Sequence, residues 1–357
     1  MSSFVDRMHA AEQTDIDELL GRAIYATGTP LSIVESPQWQ AVFSKLRPSY
    51  TMPSRYSIAT KLLDAEYARV SCAAEELIAT SNCLGLMCDG WSNRRNQSIM
   101  NYIIITPSPV FFKSVPTGVQ SHTGQFVAKE IGDVINYVGP SKFVGVVTDN
   151  ASNMQAAWRI LEEEFPYLCC YGCAAHGLQL LMNDLAKTNT VSDVVTASTA
   201  VIKEIKRSHK LSAILENKAC SMQTTTSDTQ RTAVPSLKLP VATRWGSNVT
   251  SLTSVERNKC RLQQLAVDVD GQLLLSTASK KNILSDVFWG QLNGVLKLLQ
   301  PVAQWITVIE SDKPQLSLIA RLFSELALHF ESTNSNPFTK QEQKLALASL
   351  AARREFC

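Results

Sequence analysis

The hydrophobic period of the sequence changes near residue 83, and this change restricts the possible folds more than any other feature. Over about residues 14–80, apolar side chains recur at the spacing of amphipathic helices. Beyond that point they form short apolar and β-branched runs, which are typical of strands. The predicted strands lie at 83–88, 98–106, 110–116, 143–147 and 167–173, with helices at 125–138, 154–164 and 178–185. Three strands followed by strand–helix alternation predict the α/β class with a mixed sheet.

The remainder of the chain returns to helical spacing. Long apolar-periodic stretches at 191–215 and 285–309 predict helices, and a segment rich in Ser, Thr and Gln between them predicts a loop. We therefore predict a helical N-terminal region at 1–80, a mixed-sheet core at 81–188 and a helical region at 189–357. Loops are expected near 218–240 and 332–340.

Composition excludes several classes of protein. Of the 357 residues, 45% are hydrophobic and 18% are charged, which excludes global disorder. The net charge of +2 indicates that nucleic acid, if bound, contacts local patches. No apolar run reaches the roughly 18 residues that a membrane span needs. No signal peptide is recognisable. The nine scattered cysteines indicate a reducing, intracellular compartment. Because GxGxxG, Walker A, GxSxG and HExxH motifs are absent, we expect neither a nucleotide cofactor nor serine-hydrolase chemistry.

Two aspartates follow apolar strand patterns. Asp89 lies in the sequence DGWS and Asp149 in TDNASN, and we predict that each lies just past the end of its strand. If the strands are neighbours, two carboxylates come together, which is costly unless a cation lies between them. Mg²⁺ or Mn²⁺ bound by such oxygens can activate a water for attack at phosphorus. The alternative is that each aspartate only stabilises a turn.

A cluster of cysteines and one histidine lies near residue 170. Cys169, Cys170, Cys173 and His176 form a C-x₂-C-x₂-H pattern, which raises the possibility of zinc. No second Cys/His pair lies at zinc-finger spacing, and four ligands within eight residues reach a tetrahedral arrangement poorly. We therefore expect buried cysteines with a histidine at a helix start, and no structural zinc.

Two further features could contact nucleic acid. Arg244 and Trp245 pair a phosphate-binding cation with an aromatic ring that can stack on a base. The alternative is a core tryptophan beside a surface arginine. One predicted helix also has a basic side, for which a merely solvated face is the alternative; its residues are Lys203, Lys206, Arg207 and Lys210.

Several segments, taken in order, resemble a transposase of the hAT (hobo/Activator) superfamily. The segment that resembles the family's first catalytic strand and hairpin is CDGWSNRRNQSIMNYIII. The segment that resembles the family's second strand, which carries an acid, is VGVVTDNASNMQAAW. The segment that resembles the family's CxxH motif and the helix after it is CAAHGLQLLMNDL. The segment that resembles the Arg-Trp motif of the family's helical insertion is ATRWGSNVTSL. The segment that resembles the helical region upstream of the family's core is VESPQWQAVFSKLRPSYTMPSRYSI. The segment that resembles a later part of the family's insertion is LLQPVAQWITVIESDKPQLSLI. The resemblance spans about residues 15–330.

This resemblance implies an RNase H-like core interrupted by an all-α insertion, and metal-dependent cleavage and transfer of DNA strands with hairpin intermediates. Asp89 and Asp149 would be the first two acids of a DDE triad that holds Mg²⁺ or Mn²⁺. Cys173 and His176 match the CxxH motif, which lies near the active site and is not a zinc site. Trp245 matches a tryptophan that supports flipped or hairpinned DNA, with Arg244 beside it.

The sequence also departs from the family pattern. We assign no third acid, because Glu310 and Glu325 fall in insertion-like helices, and we expect the final helix of the core to be missing. The N-terminal zinc finger and the C-terminal dimerisation segment of relatives are not recognisable either. These departures predict a truncated, transposase-derived protein that does not transfer strands alone. The alternatives are an active transposase whose third acid lies in a longer gene product, and a domesticated protein-interaction scaffold.

The resemblance also implies partners and a location. We expect DNA as the main partner, in the form of transposon ends or hairpin DNA. A homo-oligomer, or a complex with a full-length relative, is a second expectation. DNA as a substrate predicts a nuclear location, although the sequence shows no strong basic run.

Overall fold

The computed structural model describes residues 6–106, 108–118, 120–218, 236–241, 246–311, 315–332 and 337–355. Contacts divide the chain into two compact units, neither of which is continuous in sequence. The first unit comprises Met1–His122, Phe126–Val146 and Leu161–Cys169, and the second comprises Thr123–Gln125, Val147–Ile160 and Cys170–Cys357. The predicted division at residues 80 and 188 remains a prediction.

The first unit begins with four helices, as the helical spacing predicts. They are α1 (Ala10–Thr27), α2 (Pro37–Leu46), α3 (Arg55–Ala59) and α4 (Lys61–Thr80). The first of them ends because Gly28 adopts a left-handed conformation, with φ of 62°, that closes the last turn. Ile24, Val34 and Ile58 are buried together and form a small core among these helices.

A five-stranded sheet follows, in the order β3-β2-β1-β4-β5. The strands are β1 (Leu84–Ser92), β2 (Ser98–Thr106), β3 (Ser108–Pro116), β4 (Phe143–Thr148) and β5 (Cys169–Gly172). The first three pair antiparallel in chain order. The sheet as a whole is mixed, and helices precede and follow the strands, which confirms the predicted α/β class.

The first strand differs from its prediction. We expected it to end at residue 88 with Asp89 beyond it, but β1 continues to Ser92 and pairs Asp89 with Asn101 and Trp91 with Ile99. The reason is that β2 supplies a backbone partner for every residue down to Ser92, so the Asp-Gly-Trp segment forms ladder pairs and does not turn. The chain reverses only at Asn93–Gln97 of the sequence, where Asn96 has a positive φ of 56°.

Two helices flank the later strands. They are α5 (Gly124–Val138) before β4 and α6 (Ser152–Glu164) before β5. The helix after β5, α7 (Ala174–Ala186), begins four residues earlier than the predicted 178. As a result His176 lies inside the first turn of this helix.

The described residues after α7 are mostly helical. The predicted helix at 191–215 is two helices, because Ser208 ends the first and its Oγ accepts from Leu211 N–H at 3.2 Å to begin the second. The helix predicted at 285–309 is present and buries Trp289, whose Nε1 donates to the Ile283 carbonyl at 2.8 Å. The helices are α8 (Asn189–Arg207), α9 (His209–Asn217), α10 (Ser247–Arg257), α11 (Lys259–Val267), α12 (Val269–Leu274), α13 (Thr277–Leu284), α14 (Asp286–Ile309), α15 (Ile319–Glu331) and α16 (Lys340–Arg354).

The predicted loops fall largely outside the described residues, which omit 219–235 and 333–336. Among the helices that are described, none combines the length and the apolar character needed to cross a membrane.

Candidate functional site

Asp89 lies on the solvent-exposed face of β1. Alternate residues of this strand, among them Leu84 and Cys88, are buried, whereas Asp89 is exposed and Trp91 is 48% exposed. Because side chains two residues apart in a strand share a face, Asp89 and Trp91 lie on the same side of the sheet. The strand therefore presents a carboxylate and an indole together.

The turn between β1 and β2 is held by a dense set of hydrogen bonds. The Asn93 side-chain oxygen accepts from the backbone N–H groups of Arg95, at 2.9 Å, and of Gln97, at 3.0 Å. Its Nδ2 donates to Gln97 Oε1 at 2.8 Å. Arg94 and Arg95 are exposed at this turn. The hairpin tip, which we define as residues 93–97, is thus a fixed turn that carries two guanidinium groups.

Sequence reasoning missed the hairpin tip as a candidate contact surface. The available signal was the adjacent arginine pair flanked by asparagines, in NRRN. Arginines in a surface turn are available to ligands, and guanidinium groups bind phosphate in a bidentate manner.

A histidine near the same end of the sheet was also missed. The His122 Nε2 lies 2.6 Å from Thr117 Oγ1 and 3.3 Å from Ser98 Oγ, and its ring stacks on Phe126 with centroids 6.0 Å apart. It therefore joins the start of β2 to the residue after β3. Its lone position in a polar segment gave no signal of this role.

Asp149 directly follows β4, as predicted, in a turn fixed by side-chain hydrogen bonds. Trp158 Nε1 donates to the hydroxyl of buried Thr148 at 3.1 Å, and that hydroxyl donates to the Asp149 carbonyl at 2.7 Å. Asp149 Oδ1 accepts from Ala151 N–H at 2.9 Å. The turn-stabilising role that we weighed against metal binding is therefore present. The two roles are compatible, because an ionised carboxylate accepts at two oxygens.

Cys173 is anchored next to this turn. Its backbone N–H donates to the carbonyl of Thr148, the residue before Asp149, at 2.7 Å. Its own carbonyl accepts from Gly177 N–H, which starts α7, at 2.9 Å. The structure thus brings Asp149 and the C-x-x-H segment to adjacent chain turns, with His176 half-buried in the helix.

The cysteines themselves differ from expectation. We predicted buried cysteines, but Cys169 is exposed and Cys170 and Cys173 are only half-buried. The reason is that β5 is an edge strand of four residues, which covers little surface. In the part of the chain that the structure describes, no group of three or more His, Cys, Asp or Glu has an arrangement that could hold a metal ion.

The comparison with protein families falls on this region of the chain. A family model described as a domain of unknown function, DUF659, matches residues 53–201. This family is associated with hAT-like, transposase-related proteins. The match covers less than half of the chain and includes Asp89, Asp149, Cys173 and His176. No curated protein matches the chain.

The residue after Asp149 has an unusual environment. Asn150 is 9% exposed, and neither its Oδ1 nor its Nδ2 has a hydrogen-bond partner in the described structure. Its backbone carbonyl accepts from Gln155 Nε2 at 3.1 Å, so the main chain is held in place. Sequence reasoning missed this residue, because asparagine is a common turn residue and its burial is not encoded locally.

The remaining predicted contacts lie elsewhere or are not described. Arg244 and Trp245 lie outside the described residues and outside the DUF659 match. The basic side formed by α8 and the start of α9 lies within the described residues, and its four cations are exposed. Exposure fits both alternatives, a solvated face and an anion-binding face. The four cations are Lys203, Lys206, Arg207 and Lys210.

Proposed function

We propose that this chain is a transposase-derived protein that binds DNA and that its carboxylates Asp89 and Asp149 bind Mg²⁺ or Mn²⁺. The observation that carries the proposal is the fixed turn after β4, inside the DUF659 match, which presents Asp149 beside a buried amide. Carboxylate and amide oxygens are hard donors and suit these cations. When bound, such a cation supplies Lewis-acid stabilisation of a phosphoryl oxygen.

The chain's own residues have separate tasks in this proposal. Thr148 and Ala151 orient Asp149 through the hydrogen bonds described above, so its carboxylate needs little ordering when a ligand binds. Trp91 offers an aromatic face for a base, and Arg94 and Arg95 offer charge for the backbone phosphates. Strand transfer is not part of the proposal, since we assign no third acid.

The favoured DNA contact is the hairpin tip. It carries two cations on a turn held by its own hydrogen bonds, and Trp91 and Asp89 lie on the strand that leads into it. The basic side of α8 is the second cationic surface, and Arg244 and Trp245 are a third. A nuclear location, and self-association or association with a full-length relative, belong to the same proposal because the family resemblance implies them.

The test is binding to hairpin DNA, measured by fluorescence anisotropy over a range of salt concentrations. We expect Arg94→Ala/Arg95→Ala to weaken binding about tenfold and to reduce the slope of log K against log salt by about 1–2, as loss of two phosphate contacts does. The control is Lys340→Ala/Lys344→Ala, which removes the same charge from exposed positions of α16 and should bind as the wild type does.

Two results would contradict this assignment. Equal weakening in both double variants would mean that net charge, and not the hairpin tip, determines binding. If the wild type binds no DNA at physiological salt, the protein-interaction scaffold becomes the better account.

A further inference from the structure

Asn150 is a buried amide that the protein itself does not satisfy. Its side chain carries one acceptor and two donors, and in the described structure neither Oδ1 nor Nδ2 has a partner. Buried polar side chains in folded proteins nearly always find a partner, which is protein, ordered water or an ion. An amide left without one opposes folding, so a partner from outside the protein is expected here.

The unsatisfied amide does not result from a loosely held turn. On its N-terminal side, Thr148 is bonded to Trp158 Nε1 and to Cys173 N–H. On its C-terminal side, Ala151 N–H is bonded to Asp149 Oδ1, and the Asn150 carbonyl itself accepts from Gln155. The backbone around Asn150 is therefore held by hydrogen bonds on both sides.

Asn150 is next to a proposed cation ligand in the chain. It follows Asp149, the carboxylate to which the proposed function assigns a divalent cation. Amide and carboxylate oxygens are both ligands of Mg²⁺ and Mn²⁺. A cation shared by Asp149 and Asn150 would supply the partner that the Asn150 Oδ1 lacks.

We propose that Asn150 is a ligand of the divalent cation held by Asp149 and contributes its side-chain oxygen. The inference rests on the proposed function, because it assumes a cation at Asp149. It adds a neutral ligand to the carboxylates and explains why a polar side chain is kept buried in this turn.

The experiment compares thermal unfolding of the full chain without metal and with MnCl₂, together with Mn²⁺ affinity from calorimetry. Asn150→Leu keeps the side-chain shape and removes both polar atoms. Without metal, we expect it to unfold at a higher temperature than the wild type, because replacement of an unsatisfied buried amide by an apolar group stabilises a fold. With Mn²⁺, the wild type should gain stability, whereas Asn150→Leu should gain less and bind Mn²⁺ about tenfold more weakly.

Two further variants sharpen the test. Ser198→Ala is the matched control, because Ser198 Oγ is also buried without a partner in the described structure, in α8. It should raise the unfolding temperature without metal and leave the Mn²⁺ response unchanged. Asn150→Asp replaces one oxygen ligand by a charged one, and it should lower stability without metal and strengthen Mn²⁺ binding.

The outcomes separate the two proposals. If Asn150→Leu and Asn150→Asp both bind Mn²⁺ with wild-type affinity while Asp149→Ala does not, the inference is wrong and an ordered water alone satisfies the amide; the proposed function then stands. If the wild type itself binds no Mn²⁺, both proposals fail. Should Asn150→Leu not fold, the affinity of Asn150→Asp decides the question.

Discussion

At the residue scale, the candidate site depends on one hydroxyl. Thr148 is buried, and its Oγ1 accepts from Trp158 and donates to the Asp149 carbonyl. It thus connects α6 to the backbone of the turn that carries Asp149. The position of Asp149 after an apolar strand was predictable from the sequence, because strand patterns and turn residues are local signals. The unsatisfied amide of Asn150 was not, because burial depends on residues distant in sequence.

Replacement of Thr148 tests this hydroxyl. Thr148→Val keeps the shape and leaves Trp158 Nε1 buried without an acceptor, so we expect a loss of about 1–3 kcal/mol in the free energy of unfolding. Urea denaturation measures the change. Thr148→Ser keeps the hydroxyl and removes a methyl group, and it should cost about 0.8 kcal/mol. Equal losses in the two variants would show that packing, and not the hydrogen bond, is what Thr148 provides.

At the scale of elements, an ion-pair network joins α1 to α4. Glu66 accepts from Arg69 at 2.5 and 2.8 Å and from Arg22, on α1, at 3.0 Å. The hydrogen bonds from Arg69 are the largest cause of a lowered pKa of Glu66, desolvation opposes them, and the hydrogen bond from Arg22 and the charges of both arginines add to them, so that the pKa is about 2. The carboxylate is therefore charged at every pH at which the protein is expected to work.

This network predicts a pH dependence of stability. Because the pKa of Glu66 is lower in the folded state than its ordinary value of 4.5, its contribution is complete above pH 4.5 and is lost as the pH falls toward 2. Glu66→Gln should therefore be less stable than the wild type at pH 7, and the difference should shrink between pH 4.5 and 2. Urea denaturation at several pH values measures it. Glu75→Gln, at an exposed position of the same helix, is the control; a difference for Glu66→Gln that does not change with pH would refute the ion-pair account.

The errors of the sequence-based element boundaries have physical causes. The Asp-Gly-Trp segment of β1 has turn composition, yet it pairs with β2 because the partner strand is long enough to continue the ladder. The apolar spacing at 191–215 continues through the break at Ser208. Apolar spacing alone therefore does not reveal that Ser208 caps a new helix. Strand pairing and helix capping therefore set the element boundaries that the hydrophobic period did not determine.

At the scale of the whole molecule, the contacts group segments that are far apart in sequence. Leu161–Cys169 belongs to the first unit although the residues on either side of it belong to the second. A prediction that divides the sequence into consecutive domains cannot give discontinuous units, because it assumes that neighbours in sequence fold together. The fold class was predictable because it depends only on the order of strand and helix patterns.

The central claim of this account is that Asp89 and Asp149 both contribute to divalent-cation binding. The most direct test is calorimetric titration of Mn²⁺ into the wild type, Asp89→Ala and Asp149→Ala. The controls are Asp133→Ala and Asp193→Ala, which remove exposed carboxylates from α5 and α8. The account predicts micromolar binding to the wild type and both controls, and loss of that binding in Asp89→Ala and in Asp149→Ala. Wild-type binding no tighter than millimolar, or unchanged affinity in either of those two variants, would contradict it.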